Sequence, residues 1–431
     1  MRFFESAPGG WRLVTLFDLG TVDRGRSRHR PRHEPALYGG PYPFIQTGDI
    51  KASEGRITAH SQTYNELGLS QSRLWPAGTM CITIAANIAE TAILTYPACF
   101  PDSVIGFIPD PLKADVYFVE YAFRNLKRRI QAITEDSGTV QDNINLEFLR
   151  HLQFPVPNSV SEQGAIREVF GALDDRIHLN HKMNRVLEAT ASALFRAWFI
   201  EFDPVTAKVE GRKPYGMNDE IAALFPSEFE NGIPSGWKPS PLDDLVNIVM
   251  GQSPPGKSYN EHGQGMPFFQ GRTDYGFRYP EKRIYTTLPG RIAQTRDVLV
   301  SVRAPVGDVN VAVETCCIGR GLAAVRSKTN KQSFALYLMK ALASEFDTFE
   351  GEGTVFGAIT GPNFRRISFP ALPPPLINEF DALASSFDER IELNERQSKI
   401  LGKLRDVLLP RLISGELRLK EVEQQVEAAL S

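Results

Sequence analysis

The sequence has few cysteines, no long apolar run and little net charge. Its 431 residues include four cysteines, none of them in a Cys-x-x-Cys pair, so we expect neither a disulfide framework nor a zinc site. We interpret the cysteines as reduced core residues. No apolar run approaches the roughly 18 residues that span a bilayer, and the first residues lack the apolar stretch of a signal peptide. We therefore expect a cytoplasmic protein without a membrane segment or a metal site.

Sequence signatures of catalysis are also missing. We find no Asn-Pro-Pro-Tyr or Asp-Pro-Pro-Tyr tetrapeptide of a methyltransferase active site, and no glycine-rich cofactor loop between a clear strand and a helix. No acid-rich nuclease cluster is present either. The expectation is that this chain has no catalytic residue and binds no cofactor.

One segment does match a nucleotide-binding pattern. Residues 251–258 read Gly-Gln-Ser-Pro-Pro-Gly-Lys-Ser, which fits the P-loop pattern G-x-x-x-x-G-K-[ST]. A P-loop needs a helix that begins at the Lys-Ser pair, yet residues 259–265 are typical of a loop. The two prolines also remove N–H donors from the phosphate cradle. A P-loop-like nucleotide-binding protein stays open as an alternative.

Length and composition predict a globular protein with at least two domains. The chain is 42% hydrophobic and 23% charged, and its formal net charge is −3. Residues 1–155 carry 16 basic and 16 acidic side chains, and residues 236–370 carry 16 and 12. The acidic excess therefore lies outside these two parts, which are free to carry basic faces.

The most informative feature is an internal repeat. Residues 8–12 (Pro-Gly-Gly-Trp-Arg) recur 226 positions later, and the Gly-Thr-Val turn at 138–140 recurs 215 positions later, each copy followed by a Phe-Pro pair. Residues 174–180 (Asp-Asp-Arg-Ile-His-Leu-Asn) recur 214 positions later as Asp-Glu-Arg-Ile-Glu-Leu-Asn. The chain therefore consists of two copies of one unit, each a globular domain followed by a long helix.

Each predicted long helix has a coiled-coil seam with alternating spacings of four and three, and each helix spans about 40 residues, or roughly 60 Å. Both seams place asparagine at the same step, where a polar residue fixes register. The chain returns through a whole domain between the helices, which favours an antiparallel pair, although each helix could instead pack on its own domain. The two seams are Ile166, Phe170, Leu173, Ile177, Asn180, Asn184, Leu187, Ala191, Leu194 and Trp198, and Phe380, Ala384, Phe387, Ile391, Asn394, Ser398, Leu401, Arg405, Leu408 and Leu412.

The globular copies are predicted to be mixed α/β (α+β). Apolar, β-branched runs at 80–84 and 298–302 are bounded by glycine and proline and predict strands. Residues 115–133 and 333–349 predict helices. The expected architecture is two tandem globular domains separated by long helices that pair as an antiparallel coiled coil, with an internal pseudo-twofold repeat.

The clearest binding signal is a cationic segment at residues 24–33, which we name the arginine arm. It holds five arginines in nine positions without an intervening acidic residue. Such an arm suits contacts to DNA phosphates or insertion into a groove, although a solvated charge run is the alternative. The candidate DNA-binding residues here are Arg24, Arg26, Arg28 and Arg30.

Two runs in equivalent places of the copies are candidate base readers. Residues 43–50 (Pro-Phe-Ile-Gln-Thr-Gly-Asp-Ile) and 267–274 (Pro-Phe-Phe-Gln-Gly-Arg-Thr-Asp) each follow an apolar strand with a polar turn. Glutamine pairs with adenine and arginine with guanine in the major groove, although a strand that ends in a polar turn is also a common fold element. The candidates are Gln46, Thr47, Asp49, Gln270 and Arg272, together with Lys257 and Arg303.

The arrangement resembles the specificity subunit of type I restriction-modification systems. The resemblance covers nearly the whole chain and rests on residues 43–50, the stretch 296–307, the Gly-Thr-Val turns before Phe-Pro, and the linker 202–226. In residues 271–274 two residues separate the glycine and the aspartate, which are adjacent in the family's pattern. This departure weakens the transfer of the family's residue roles to the second copy.

The resemblance implies a target recognition domain in each copy, and each domain would read one half of a bipartite, asymmetric double-stranded DNA target. The expected segments are a first recognition domain (1–157), a central spacer helix and linker (158–235), a second recognition domain (236–372) and a C-terminal spacer helix (373–431). Two modification methyltransferase subunits and motor-nuclease restriction subunits would dock, and S-adenosylmethionine and ATP would bind to those partners. A coiled-coil assembly protein without DNA function is the other alternative. The candidates for helix pairing and subunit docking are Leu173, Ile177, Asn180, Leu187, Phe387, Ile391, Asn394 and Leu401.

Overall fold

The structure, a computed structural model, describes residues 3–31, 33–85, 87–136, 144–350 and 357–430. The two Gly-Thr-Val turns of the repeat and Arg32 lie outside the described residues. In the described ranges, no helix has an apolar stretch that could cross a membrane. The four cysteines are buried and unbridged.

Short strands alternate with helices along the whole chain. The strands are β1 (Trp11–Val14), β2 (Gly20–Arg24), β3 (Tyr38–Phe44), β4 (Arg56–Ile57), β5 (Gln62–Tyr64), β6 (Met80–Thr83), β7 (Thr91–Leu94), β8 (Val104–Pro109), β9 (Phe154–Pro157), β10 (Phe229–Glu230), β11 (Ile233–Pro234), β12 (Pro239–Pro241), β13 (Val246–Met250), β14 (Tyr259–Asn260), β15 (Met266–Phe269), β16 (Tyr285–Thr286), β17 (Ile292–Ala293), β18 (Val298–Val302), β19 (Val306–Val311), β20 (Cys316–Ile318), β21 (Leu322–Ser327) and β22 (Ser368–Pro370). The helices are α1 (Leu16–Leu19), α2 (Thr47–Ala52), α3 (Glu66–Ser70), α4 (Val116–Asp136), α5 (Leu146–His151), α6 (Val160–Phe199), α7 (Asp203–Val209), α8 (Asp219–Ala223), α9 (Gln332–Ala341), α10 (Ala343–Asp347), α11 (Gly361–Arg366), α12 (Pro374–Ile413) and α13 (Leu419–Leu430).

The chain forms two compact units, and each unit contains half of each long helix. Unit 1 consists of Met1–Leu179 with Arg396–Ser431, and unit 2 of Asn180–Glu395. This grouping differs from the four segments expected from the sequence, because each globular part packs with half of α6 and half of α12. The segment boundaries stay a prediction.

The strand order confirms the internal repeat. The main sheet of unit 1 has the order β2-β8-β6-β7-β4, and that of unit 2 has the order β13-β21-β18-β19. In both sheets the first four strands are antiparallel neighbours. A second pair also recurs, since β1 pairs with β9 and β12 with β22. The predicted strands at 80–84 and 298–302 are the central strands β6 and β18, and their residues are buried, as expected for short continuous apolar runs.

The long helices are each 40 residues, which confirms their predicted length. In unit 1, Arg405 of α12 donates to the carboxylate of Asp174 on α6 at 2.6 Å, and Arg176 of α6 donates to Gln397 of α12 at 3.1 Å. Residue numbers rise on one helix as they fall on the other, so the two segments run antiparallel.

The same direction holds within unit 2. Asn184 of α6 donates to Glu395 of α12 at 2.7 Å, and the rings of Phe195 and Phe380 lie 5.2 Å apart edge to face. The predicted antiparallel pairing is therefore present in both units. Most apolar seam positions belong to the same cores as the sheets, which is why the helices and the globular parts form common units.

Candidate nucleic-acid interface

The arginine arm leaves the main sheet of unit 1 through a glycine that has no room for a side chain. The backbone N–H of Gly25, directly after β2, donates to the carbonyl of Val104 at 2.8 Å. A Cβ at Gly25 would lie 2.2 Å from the carbonyl oxygen of Pro101. Only glycine allows this close approach, and it fixes where the arm begins.

The four described arginines of the arm are exposed, but two of them are held in place. Arg24 donates to the carbonyl of Asp102, and Arg30 donates to two carbonyls of the arm at 2.7 and 2.8 Å and lies 3.7 Å from the carboxylate of Asp102. The side chains of Arg26 and Arg28 have no partner within the described part of the chain. The fold thus brings Asp102 next to an arm that contains no acidic residue of its own. The guanidinium groups of Arg26 and Arg28 are left available to bind a partner.

The first candidate base-reading run has a structural role. The carboxylate of Asp49 accepts from the backbone N–H of Gln46 at 2.8 Å and from Ser61 at 3.1 Å, and so caps the start of α2. The amide of Gln46 donates to Gln62 at 2.5 Å, and Thr47 is the half-buried first residue of α2. Base contacts by these three residues stay a prediction, and helix capping already accounts for Asp49.

In unit 2, two of the candidates lie at the same end of the main sheet. The N–H of Gly321 donates to the carbonyl of Gln270 at 3.2 Å, and the carbonyl of Gly321 accepts from Val302, the residue before Arg303, at 2.9 Å. Gln270 and Arg303 are both exposed there. Arg272 is exposed but forms an ion pair with Asp308.

The P-loop-like segment does not form a P-loop. Gly256–Ser258 is one turn of 3-10 helix that carries the exposed Lys257, and it continues into strand β14 rather than into a helix. The loop expected at 259–265 is therefore wrong for its first two residues, because they pair with β16. The first glycine of the pattern, Gly251, has a packing role, since a Cβ there would lie 2.2 Å from the carbonyl oxygen of Gly319.

The predicted apolar seam residues are buried or half-buried. In unit 1, Leu173, Ile177 and Leu401 are buried. In unit 2, Ile391 is buried, whereas Leu187 and Phe387 are half-buried.

The seam asparagines of unit 2 hydrogen-bond to each other. Asn394 donates to the side-chain oxygen of Asn184 at 2.8 Å, and Asn180 donates to the carbonyl of Asn394 at 3.4 Å. All three are buried. Such a network is satisfied only when the helices keep this alignment, which supports a role in register.

Sequence reasoning missed a buried ionic cluster in unit 1. The carboxylate of Asp174 on α6 accepts from Tyr121 at 2.9 Å, from Arg124 at 3.1 Å and from Arg405 at 2.6 Å, and Arg124 also pairs with the buried Glu120 at 2.8 Å. Burial alone would raise the pKa of Asp174, but the two arginines hold it below its ordinary value. The cluster joins α4 of the globular part to both long helices.

Unit 2 has a counterpart at the equivalent position of the repeat. Asp388, 214 residues after Asp174, accepts from Tyr337 at 2.8 Å and pairs with Arg278 at 2.8 Å. Arg278 also pairs with Glu188 of α6 at 2.8 Å, and Glu188 pairs with Lys340 at 2.7 Å. The repeated Asp-Asp/Glu-Arg-Ile sequence was the available signal for these clusters. The tyrosines and arginines that bind the aspartates are distant from them in sequence, so the sequence did not reveal the pairing.

Each unit combines an α/β globular part with antiparallel segments of the two long helices, and exposed polar loops lie at one end of its main sheet. A family model described as the type I restriction modification DNA specificity domain matches residues 8–189 and 234–401. The chain belongs to this family of specificity subunits.

Individual relatives agree with this assignment. The chain is 32% identical over 320 residues to a type I restriction enzyme specificity subunit from Methanocaldococcus jannaschii, provisionally named MjaX, covering 72% of this chain and 70% of the relative. It is 24% identical over 438 residues to the MjaIX specificity subunit of the same organism, covering 96% and 95%. The crystal structure of a type I restriction-modification S subunit from M. genitalium has a similar fold, with a TM-score of 0.56, 16% identity, and coverage of 96% of this chain and 98% of that one.

Proposed function

We propose that this chain is the DNA-reading subunit of a type I restriction-modification complex and that it catalyses no reaction itself. Each unit reads one half of a bipartite double-stranded DNA target. The observation that best supports this is the duplication, because two sheets of the same strand order end in different exposed loops. Arg26 and Arg28 are available in unit 1, and Gln270 and Arg303 in unit 2. Since these side chains differ, the two half-sites differ and the target is asymmetric.

The partners supply the chemistry. Two modification methyltransferase subunits dock on the long helices, bind S-adenosylmethionine and methylate a flipped-out adenine in each half-site. Motor-nuclease restriction subunits use ATP for translocation and cleavage. The paired helices set the distance between the half-sites, as half-site spacing is set in dimeric DNA readers.

The outward faces of the helices offer a docking surface that differs from the seam residues considered from the sequence. Leu179 and Val186 on α6 are 47% and 58% exposed, and Leu393 and Ile400 on α12 are 57% and 63% exposed. Leu179 and Ile400 belong to unit 1, and Val186 and Leu393 belong to unit 2. The 214-residue repeat relates Leu179 to Leu393 and Val186 to Ile400, so each unit carries an equivalent exposed apolar pair. We name them the docking stripes. Two equivalent stripes suit two copies of one partner.

The test of the proposed function is to co-express the chain with its modification subunit in a methylation-free host and to map modified adenines by long-read sequencing. A split, asymmetric motif with fixed spacing is expected. Exchange of residues 1–155 for those of a related chain should change one half only. Absence of a motif, with both proteins associated and with DNA affinity insensitive to salt, would favour the assembly-protein alternative. Binding of a labelled ATP analogue that is lost in Lys257→Ala would favour the P-loop alternative.

The docking stripes have a separate test. The double variant Val186→Ser, Leu393→Ser, which changes the stripe of unit 2, should retain its thermal midpoint but co-purify with one modification subunit instead of two. The matched control is Leu112→Ser, because Leu112 is 89% exposed and lies outside the long helices. Retention of two partner copies by the stripe variant would contradict this docking site.

A further inference from the structure

The turn between β20 and β21 presents a single arginine. Gly319, Arg320 and Gly321 form this turn, and Arg320 is exposed. A Cβ at Gly319 would lie 3.0 Å from the Cα of Gln270, and one at Gly321 would lie 2.6 Å from the carbonyl oxygen of Gln270. Neither glycine adopts a positive φ, so each is required by space rather than by backbone conformation. The turn is therefore pressed against the chain at Gln270, and Arg320 is the only side chain it extends.

A second segment fixes the backbone of Arg320 from the other side. The N–H of Arg320 donates to the hydroxyl of Ser253 at 3.3 Å, and the N–H of Gln252 donates to the carbonyl of Ile318 at 3.0 Å. Gln252 is exposed. Within the described ranges, neither the guanidinium of Arg320 nor the amide of Gln252 has a hydrogen-bond or ion-pair partner. The Arg320 guanidinium and the Gln252 amide thus have several unused donors, and the hydrogen bonds of the backbone fix the position of both residues.

The repeat aligns these positions with the arginine arm of unit 1. Gln252 corresponds to Arg26, because both follow a glycine that comes directly after a sheet strand, and their N–H groups donate to the carbonyls of Ile318 and Phe100 respectively. Arg320 corresponds to Asp102, two residues after the accepting carbonyl in each unit. In unit 1, Asp102 holds Arg24 and Arg30. Unit 2 therefore places a cation where unit 1 has an anion.

We propose, resting on the DNA-reading function above, that Arg320 and Gln252 contact the half-site of unit 2. Arg320 binds a backbone phosphate, for which an unpaired planar guanidinium offers two parallel donors. Gln252 reads a base edge, since its amide can donate and accept to adenine in the major groove. In unit 1, Arg26 and Arg28 of the arginine arm make the contacts to the DNA half-site. In unit 2, the glycine-flanked turn makes them.

The experiment uses the complex of the full chain with its modification subunit, bound to a duplex that carries the motif mapped for the wild type. Arg320→Ala should leave the motif unchanged and lower the slope of log affinity against log salt by about one. Gln252→Ala should make one position of the unit 2 half-site degenerate, with a loss of discrimination of about 5- to 150-fold, and should leave the salt slope unchanged. The exchange of residues 1–155 identifies which half belongs to unit 2.

The control is Arg366→Ala. Arg366 is exposed in unit 2 but lies near the opposite end of β13, since the neighbouring Ile367 accepts from Leu242 at 2.9 Å. If Arg320→Ala matches Arg366→Ala in salt slope, or if Gln252→Ala keeps the wild-type motif, with each variant as stable as the wild type, the proposal is overturned. Failure of the proposed function looks different, because the wild-type complex itself would then yield no motif.

Discussion

Replacement of Arg278 by methionine should destabilise unit 2 more than the loss of an ordinary ion pair. The Arg278 side chain is 3% exposed and forms ion pairs of 2.8 Å with Glu188 and Asp388, each of which is 18% exposed. Burial alone would lower the pKa of Arg278, but Asp388, Tyr337 and Glu188 raise it, so the guanidinium stays charged. Methionine fills similar space but leaves two half-buried carboxylates whose remaining partners among the described residues are Lys340 and Tyr337. Removal of one partner from such a cluster costs about 3–5 kcal/mol.

Thermal and denaturant unfolding of the full chain measure this effect. For a unit of this size the loss corresponds to a fall in Tm of roughly 6–20 °C. Arg272→Met is the matched control, because its ion pair with Asp308 is exposed and should contribute less than about 1 kcal/mol. Adding Asp388→Asn to Arg278→Met should recover part of the loss, since it removes the carboxylate charge that loses its arginine partner, whereas Glu188 keeps Lys340. A loss below about 1 kcal/mol for Arg278→Met alone would refute the reasoning.

Three further outcomes are expected from unfolding measurements. Gly25→Ala should lower the free energy of unfolding by about 1–3 kcal/mol, because its Cβ would lie 2.2 Å from a backbone carbonyl oxygen. Gly9→Ala is the control, since Gly9 has open space around it, and equal unfolding midpoints for the two variants would contradict the prediction. Asp174→Asn should be less stable than the wild type at neutral pH, and the difference should shrink as the pH falls below about 3.8. The reason is that a carboxylate whose pKa is lowered in the folded state stabilises the fold only while it is ionised, so a stability difference independent of pH would argue against this prediction. Asn394→Leu should lower the free energy of unfolding by about 1–3 kcal/mol, because it leaves the side-chain oxygen of Asn184 unsatisfied. Adding Asn184→Leu should restore stability, and a further loss in the double variant would contradict this explanation.

Features that depend on local periodicity were predictable from the sequence. The seams around Ile166 and Ile391 have the spacing of a coiled coil, and both residues are buried where the pattern placed them. The strands β6 and β18 are short apolar runs bounded by turn residues, and they form the sheet centres. The antiparallel direction followed from the length of chain between the helices. These inferences use neighbours within a few residues or a repeat, which a sequence displays directly.

Features that depend on contacts between distant residues were not predictable. Asp102 lies beside the arginine arm because β8 pairs with β2, and the sequence places the two elements far apart. Asp49 was considered as a base reader, but its carboxylate caps α2, which could have been anticipated from its position three residues after Gln46. Arg278 gives no local signal, because its partners lie on α6 and α12.

The two halves of the repeat diverge where substitution is tolerated and stay alike where it is not. Tyr121 with Asp174 and Tyr337 with Asp388 keep the same hydrogen bond in the two units, because each buried tyrosine hydroxyl would lose its acceptor without the aspartate. Arg320 in place of Asp102 reverses a charge on an exposed turn, where substitutions usually change stability by less than about 0.5 kcal/mol. Such exposed turns can therefore change without disturbing the helix pair. For the same reason, an exchange of Arg320 alone should lower the salt dependence of DNA binding while the motif, the unfolding midpoint and the number of bound partners stay constant.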